Sequence, residues 1–228
     1  MSSIEVVHRT NPRSRSVRVS VSHVGQVIVT RPPRFPQWRA EQFLVQSQDW
    51  IDKQLLKIHR QKAVLGNDPN NKVVLYRGVP FSVEIGHGMK AVELRGGKLH
   101  VSPVEDSVAS IGRALERWMR AESERQFVKT IHELAENMKV KFSSVVFKSQ
   151  VTRWGSCSSA GNINLHWRLI QAPDSVASYV IIHELAHRRE MNHGPRFWKL
   201  VGEHDPEYRS HRAWLTKHGM LLQSPLWE

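Results

Sequence analysis

The sequence predicts an α+β fold, with a β-rich N-terminal module ahead of a module organised around one buried helix. Three observations carry that prediction. In the first hundred residues apolar positions alternate with polar ones over short runs, the period of half-buried strands. After about residue 105 long helical stripes appear. Within the most apolar of the helical runs, Val176 to Ala186, begins the segment His183-Glu184-Leu185-Ala186-His187, whose spacing belongs to metal chemistry.

Composition narrows the class further. The chain has 228 residues, 40% of them apolar and 24% charged, which is a globular rather than a disordered balance. One cysteine excludes an internal disulfide framework and fits a reducing compartment. No stretch has the unbroken apolar length of a membrane span, and the opening residues lack a signal-peptide core. The expectation is a soluble cytoplasmic protein. Its formal charge of +12 is uneven. Residues 1–40 hold Arg9, Arg13, Arg15, Arg18, Arg31, Arg34 and Arg39 against the single acid Glu5. Such a field attracts anions, nucleic acid among them, but no helix-turn-helix, zinc-finger or RNA-recognition motif is legible.

The elements follow in order. Val17, Val19 and Val21 alternate with polar residues, a turn over His23–Gln26 follows, and Val27-Ile28-Val29 returns as a second strand. Pro32, Pro33 and Pro36 stop the sheet pattern. From about Trp38 to residue 64, Phe43, Leu44, Ser47, Ile51, Leu55 and Ile58 lie on one helical stripe. The polar run 66–71 breaks it. Strands are expected over Val73–Tyr76, Phe81–Ile85, Ala91–Leu94 and Leu99–Val101, separated by glycine turns. The module boundary is set at 104/105. Asp106 or Ser107 then caps a long helix reaching Met138, with a bend or a division into two helices where its stripe weakens at Glu122–Gln126. Strands return at Val145–Val151 and Ile163–Leu165 around a polar loop, Gly155–Gly161. Pro173-Asp174-Ser175 starts the apolar helix, and Pro195 to His218 reads as helical with a break at Pro206.

On a helix, positions i and i+4 share a face, so His183 and His187 project side by side at chelating distance. Glu184 stands one step round, where it can take a proton from a metal-activated water without being a ligand. His193 follows six residues after His187, ahead of a Gly194-Pro195 turn that can bring it back as a third ligand. Three protein ligands with one open position is the pattern of a catalytic zinc site. His and Glu kept in so apolar a helix without partners would cost about 1–3 kcal/mol each, which argues for a ligand. A partial copy, His132-Glu133-Leu134-Ala135-Glu136, ends in Glu where the second ligand belongs and reads as an ordinary amphipathic stripe.

Around this motif lie Arg153-Trp154-Gly155-Ser156-Cys157-Ser158, Asn162-Ile163-Asn164-Leu165, Trp167-Arg168-Leu169-Ile170 and Asn192-His193-Gly194-Pro195-Arg196-Phe197-Trp198. Together with the HELAH helix they resemble the YgjP-like family, which is classed with the zincin metallopeptidases. The resemblance extends more weakly over the N-terminal strands and the helix at Trp50-Ile51. It implies a zincin-like module over 105–228, one Zn2+ per chain on His183, His187 and His193, and Glu184 as general base. It also implies a second activity, UTP pyrophosphatase, releasing UMP and pyrophosphate. The histidine spacing matches metzincins, yet Glu190 occupies their characteristic glycine position. A gluzincin-like variant would instead use Glu203 as third ligand.

Other residues are assigned more loosely. Arg153, Trp154 and Arg168 are candidate substrate contacts, because they stand close to the site in sequence and a basic surplus suits an anionic substrate. A set of three imidazoles argues for zinc and for peptide-type hydrolysis, since oxygen ligands would suit magnesium. Cys157 reads as a small packed thiol, and Phe197 and Trp198 as packing against the metal helix. His204, Tyr208 and His211 are candidate oxyanion donors. Asp205 or Glu207 could orient a ligand imidazole. The expected function is a zinc-dependent hydrolase acting on peptides, with the nucleotide reaction as alternative and a nucleic-acid-associated basic module as the third reading.

Overall fold

Alternating valines build the first sheet. Val27 and Val29 are wholly buried on β3 (Val27–Arg31), which lies between β1 (Val6–Thr10) and β2 (Arg18–Val21). β2 pairs with β3 antiparallel, Val19 opposite Val29, as the alternation predicts. β1 runs parallel to β3 with Val6 opposite Val27. That strand is absent from the sequence reading. The computed structural model describes residues 6–22, 25–64, 73–86, 91–150, 153–224 and 226–227, with the side chains of 57–64 outside that description. Of the expected turn over 23–26, Gly25 and Gln26 are described, with Ser22 N–H donating to the Gln26 carbonyl at 2.9 Å, while 23–24, 66–71 and 87–88 lie outside the described residues.

The helix expected over 38–64 is two helices, α1 (Gln37–Gln46) and α2 (Gln48–Val64). Ser47 separates them. Its hydroxyl donates to the Phe43 carbonyl at 2.8 Å, competing with the backbone ladder, and its own carbonyl accepts from Ile51 N–H at 2.9 Å. Ala40 and Ile51 are the buried positions of this pair. These elements form one compact unit, Met1–Asn67, and Asp68–Glu228 forms a second.

The division thus falls at 67/68 rather than at the expected 104/105. In the second unit, β4 (Val73–Tyr76), β5 (Val79–Ile85), β6 (Val92–Arg95) and β7 (Lys98–Val101) form a sheet of order β4-β5-β7-β6. Its inward residues Val74, Val92, Leu99 and Val101 share one core with Ile111, Leu115 and Met119 of α3 (Val108–Asn137). Polar contacts fasten the sheet to this helix and to the residues around 174. Tyr76 donates its hydroxyl to Glu122 at 2.8 Å, and Arg77 pairs with Asp174. The hairpin between β4 and β5 turns through Arg77 and Gly78, both at positive φ. Gly78 passes so close to Pro173 that a Cβ there would lie 2.8 Å from the proline ring.

α3 is one uninterrupted helix of 30 residues, capped by Ser107, whose hydroxyl accepts from Ser110 N–H at 3.2 Å. The helix is not divided at 122–126. The apolar stripe is interrupted there because Glu122 is engaged by Tyr76 and Arg125, while the small Ser123 fills a fully buried position. β8 (Ser144–Lys148), β9 (Gly155–Cys157) and β10 (Asn162–His166) make a second sheet with β10 central. β9 lies inside the stretch expected to be a loop, and residue 151, expected to end a strand, lies outside the described residues. A 3-10 turn, Trp167–Gln171, leads to α4 (Asp174–Ala186), then α5 (Pro195–His204) and α6 (Tyr208–Leu222). α4 is the centre of this unit: Ile181, Leu185 and Ala186 have no exposure, and α3, α5, α6, β9 and β10 all pack on it. The fold is a mixed α+β one, as expected. No described helix is long and apolar enough to cross a membrane.

Candidate metal and catalytic site

The apolar run that makes α4 a core helix also brings three polar residues to its C-terminal end. His183 and Glu184 occupy its last turn, and His187 is its C-cap. The chain then turns through Arg188 and Arg189. Arg188 pins that turn by donating to the carbonyls of Lys141 at 2.9 Å and Ser159 at 2.8 Å, and Arg189 donates to Lys139 at 3.2 Å. His193 follows, just before Gly194 and Pro195 start α5, proline standing at a first-turn position where its missing N–H costs nothing.

The turn returns His193 to the helix end. One ligand nitrogen from each of His183, His187 and His193 lies within 4.8 Å of the other two. The Nε2 atoms of His183 and His193 are 3.0 Å apart. Phe197, fully buried on the first turn of α5, backs all three rings at centroid distances of 4.8, 4.7 and 4.7 Å. Trp198 stacks against His193 at 5.8 Å. This is the packing role expected for the two aromatics.

The protonation states suit a metal. Burial, with the neighbouring imidazoles His187 and His193, pushes the His183 pKa down to about 3. Burial also lowers that of His187. Both are therefore neutral near pH 7. The Nδ1–H of His187 donates to the Glu190 carbonyl at 3.1 Å, which leaves its Nε2 lone pair free. His183 Nδ1 is buried with no hydrogen-bond partner among the described residues. Imidazole nitrogens converging on one point are a donor set for a borderline-soft divalent cation.

Glu184 is only 5% exposed, and burial raises its pKa to about 8, opposed by the Arg153 guanidinium. It forms part of the wall of a cavity of about 310 Å³, together with His183, Tyr179, Arg153, Trp154 and Arg212. Gly155, at the start of β9, is pressed against it. A Cβ built on Gly155 would stand 2.5 Å from Glu184 Oε1 and 2.7 Å from its Cγ. β9 is the edge of its sheet, and among the described residues no strand pairs with its other side.

The expected site residues separate into two groups. His183, His187, His193 and Glu184 come together, with Arg153 and Trp154 on the cavity wall. Arg168 does not join them. It stacks on Trp167 at 4.5 Å and donates to the Leu222 and Ser224 carbonyls at 3.1 and 2.6 Å, so it holds the C-terminal segment in place. Nearness in sequence to the motif was a poor guide, because the 3-10 turn carries Arg168 away from the cavity. Glu203 is exposed on α5 and outside the histidine cluster, which removes the gluzincin-like arrangement. Asp205 engages His211 Nδ1 at 2.8 Å rather than a ligand imidazole. Tyr208 stacks on Trp198 at 5.3 Å. His132 is exposed and packs on Phe142, as expected of the partial motif. Cys157 is half-buried and free, its thiol pKa raised by burial, which fits a packed residue rather than a nucleophile.

Sequence reasoning missed Tyr179, Arg212 and Gly155. Tyr179 is four residues before His183, so the helical spacing that found His187 also pointed to it. Arg212 comes from α6, and no local spacing signals it.

A sequence model described as "YgjP-like, metallopeptidase domain" matches residues 15–218. No curated protein matches the chain. Among solved structures, the metallopeptidase zymogen of Pyrococcus abyssi abylysin is similar at 21% identity, covering 39% of this chain and 91% of that one, with a TM-score of 0.36. The metallopeptidase zymogen of Methanocaldococcus jannaschii jannalysin is similar at 18% identity, covering 39% and 92%, with a TM-score of 0.35.

Proposed function

The chain belongs to the YgjP-like metallopeptidase-domain family, and from that premise we propose that it is a zinc-dependent peptidase with Glu184 as its general base. One observation carries the reading: three imidazoles converge on one point, and one of them, His183, lines the same cavity as the buried carboxyl of Glu184. His183, His187 and His193 would hold a single Zn2+ per chain. When bound, the cation supplies Lewis-acid activation of water and of the substrate carbonyl.

The rest is the work of the chain's own side chains. Burial raises the Glu184 pKa to about 8 in the metal-free chain, and a dication held by the neighbouring imidazoles would favour its carboxylate, the form that serves as base. Its carboxylate accepts a proton as water oxygen attacks the peptide carbonyl carbon. It returns that proton to the amine nitrogen as the C–N bond breaks. Phe197 and Trp198 keep water from the far side of the imidazoles and fix their ring planes. Arg153 and Trp154 contribute to the substrate wall. The unpaired edge of β9 suits an extended peptide, whose backbone can add to a sheet edge. A cytoplasmic setting accords with a lone, unbridged cysteine.

The test combines metal analysis with two substrates. Purified protein should contain about one zinc per chain, lost in His183→Ala; Glu184→Gln should keep zinc and lose turnover by about 10²-fold or more. A mixed peptide library and UTP are assayed side by side on the zinc-loaded protein. Peptide cleavage supports the reading. Pyrophosphate release from UTP without peptide cleavage overturns it.

A further inference from the structure

Several described arginines of the second unit are committed to acids or carbonyls. Arg77 pairs with Asp174, Arg120 with Glu116, Arg125 with Glu122, and Arg188 holds backbone carbonyls. Arg153 and Arg212 differ. Both lie on the wall of the cavity beside Glu184, one just before β9 and one in the second turn of α6. Among the described residues, no ion pair or hydrogen bond ties either guanidinium to a carboxylate.

A guanidinium on open surface needs no acid, and a chain of charge +12 has many such groups. These two instead converge on one concave wall whose sole carboxyl is Glu184. Arg212 is also braced, its guanidinium carbon 5.2 Å from the Trp198 ring centre, which limits the entropy lost when it engages a ligand. The cavity therefore presents two guanidinium forks beside Glu184, with a single carboxyl on its wall to face both.

We propose that Arg153 and Arg212 form an anion-recognising pair that selects peptides carrying a carboxylate next to the bond cleaved. The inference rests on the peptidase reading above and names its substrate class. A guanidinium offers donors in a planar fork that matches a carboxylate, and such charge-assisted bonds are stronger in a partly water-excluded cleft. The carboxylate has two sources, an Asp or Glu side chain or the terminal α-carboxylate of the peptide. Backbone added along β9 and an anion held by the pair would together fix the register of the chain across Glu184.

The experiment uses the full zinc-loaded chain and a peptide found by library screening. Four versions are compared: Glu or Gln beside the scissile bond, each with a free or an amidated C-terminus. Carboxylate-bearing versions should show kcat/KM about 10- to 100-fold above their neutral isosteres at low salt, shrinking at about 0.5 M salt. Arg153→Gln and Arg212→Gln should each lower that ratio about tenfold with zinc content kept, and Arg212→Lys should restore only part of it. Loss on Glu-to-Gln exchange supports the side-chain source; loss on amidation supports the terminal one. Equal kcat/KM for all four peptides, or a ratio untouched in both Gln variants, overturns the inference and leaves the peptidase reading standing. No cleavage of any peptide overturns the reading beneath it.

Discussion

Replacing Gly155 by alanine presses on the proposed base, Glu184, without mutating it. Gly155 does not stand at positive φ, so alanine fits its backbone, and the whole effect comes from the added methyl. That methyl would lie 2.5 Å from Glu184 Oε1, 2.7 Å from Cγ and 2.8 Å from Cδ. Carbon contacts settle at about 3.5–4.0 Å, so Glu184 must retreat by roughly 1 Å. Retreat is resisted, because Glu184 is buried and the close contact includes Cγ and Cδ as well as the far end of the chain. A displacement of about 1 Å at a reacting group costs roughly 10²-fold in rate, or about 2.7 kcal/mol of activation free energy. Overpacking should lower stability by about 1–3 kcal/mol. Zinc content should be unchanged, since none of the atoms closest to the new methyl belongs to an imidazole. The assay is kcat/KM on a cleaved fluorogenic peptide, with zinc per chain and thermal unfolding measured on the same samples. A folded, zinc-loaded Gly155→Ala protein within about threefold of the parent rate would refute the placement of Glu184 as base.

Two more perturbations probe the frame around the site. His166 is buried beneath Trp154 and Trp167, its Nδ1 accepting from Arg168 N–H at 3.1 Å, and burial pushes its pKa down to about 4. A depressed folded-state pKa adds stability that is present above pH 6.5 and is lost as pH falls toward 4, so His166→Asn should flatten the acid limb by roughly 2–3 kcal/mol between pH 7 and 4.5 in urea titrations. An unchanged limb would remove His166 from the account of acid lability. Arg188→Ala removes the donors that pin the turn between His187 and His193, and zinc affinity measured by chelator competition should weaken about tenfold with the fold retained. Full affinity in that variant would mean the turn needs no pin.

What could be read in advance follows from how local each signal is. The metal helix was legible because its apolar run and its i, i+4 histidines are both properties of one helix. The cap at Ser107 was legible for the same reason. β1 was not, since Val6 to Thr10 has no alternation and its place comes from parallel pairing with a strand about twenty residues away. β9 was hidden because Gly155-Ser156-Cys157 has turn-like composition, and its strand geometry comes from β10 on one side and α4 on the other. The weakened stripe at Glu122 looked like a bend because its partner, Tyr76, lies 46 residues earlier. At the site, spacing singled out His183, Glu184, His187 and His193, and the structure places the three imidazoles together. Arg168 was misplaced, and Arg212 missed, because neither position relative to the cavity is a local property of the chain.

The sheet carrying Val74, Val92, Leu99 and Val101 decides where this chain can be shortened. A polypeptide beginning at residue 105 would keep every metal-site residue and still lose the cover over Ile111, Leu115 and Met119. Uncovering apolar side chains costs about 1.5–3 kcal/mol each, so the four strand residues alone represent about 8 kcal/mol. That is comparable with the whole stability of a domain. It would also remove the Arg77 and Gly78 N–H groups that donate to the Ile170 and Gln171 carbonyls just ahead of α4. The smallest working enzyme is therefore set by the hairpin that supports the entrance to the metal helix, and the HELAH motif alone gives no hint of that requirement.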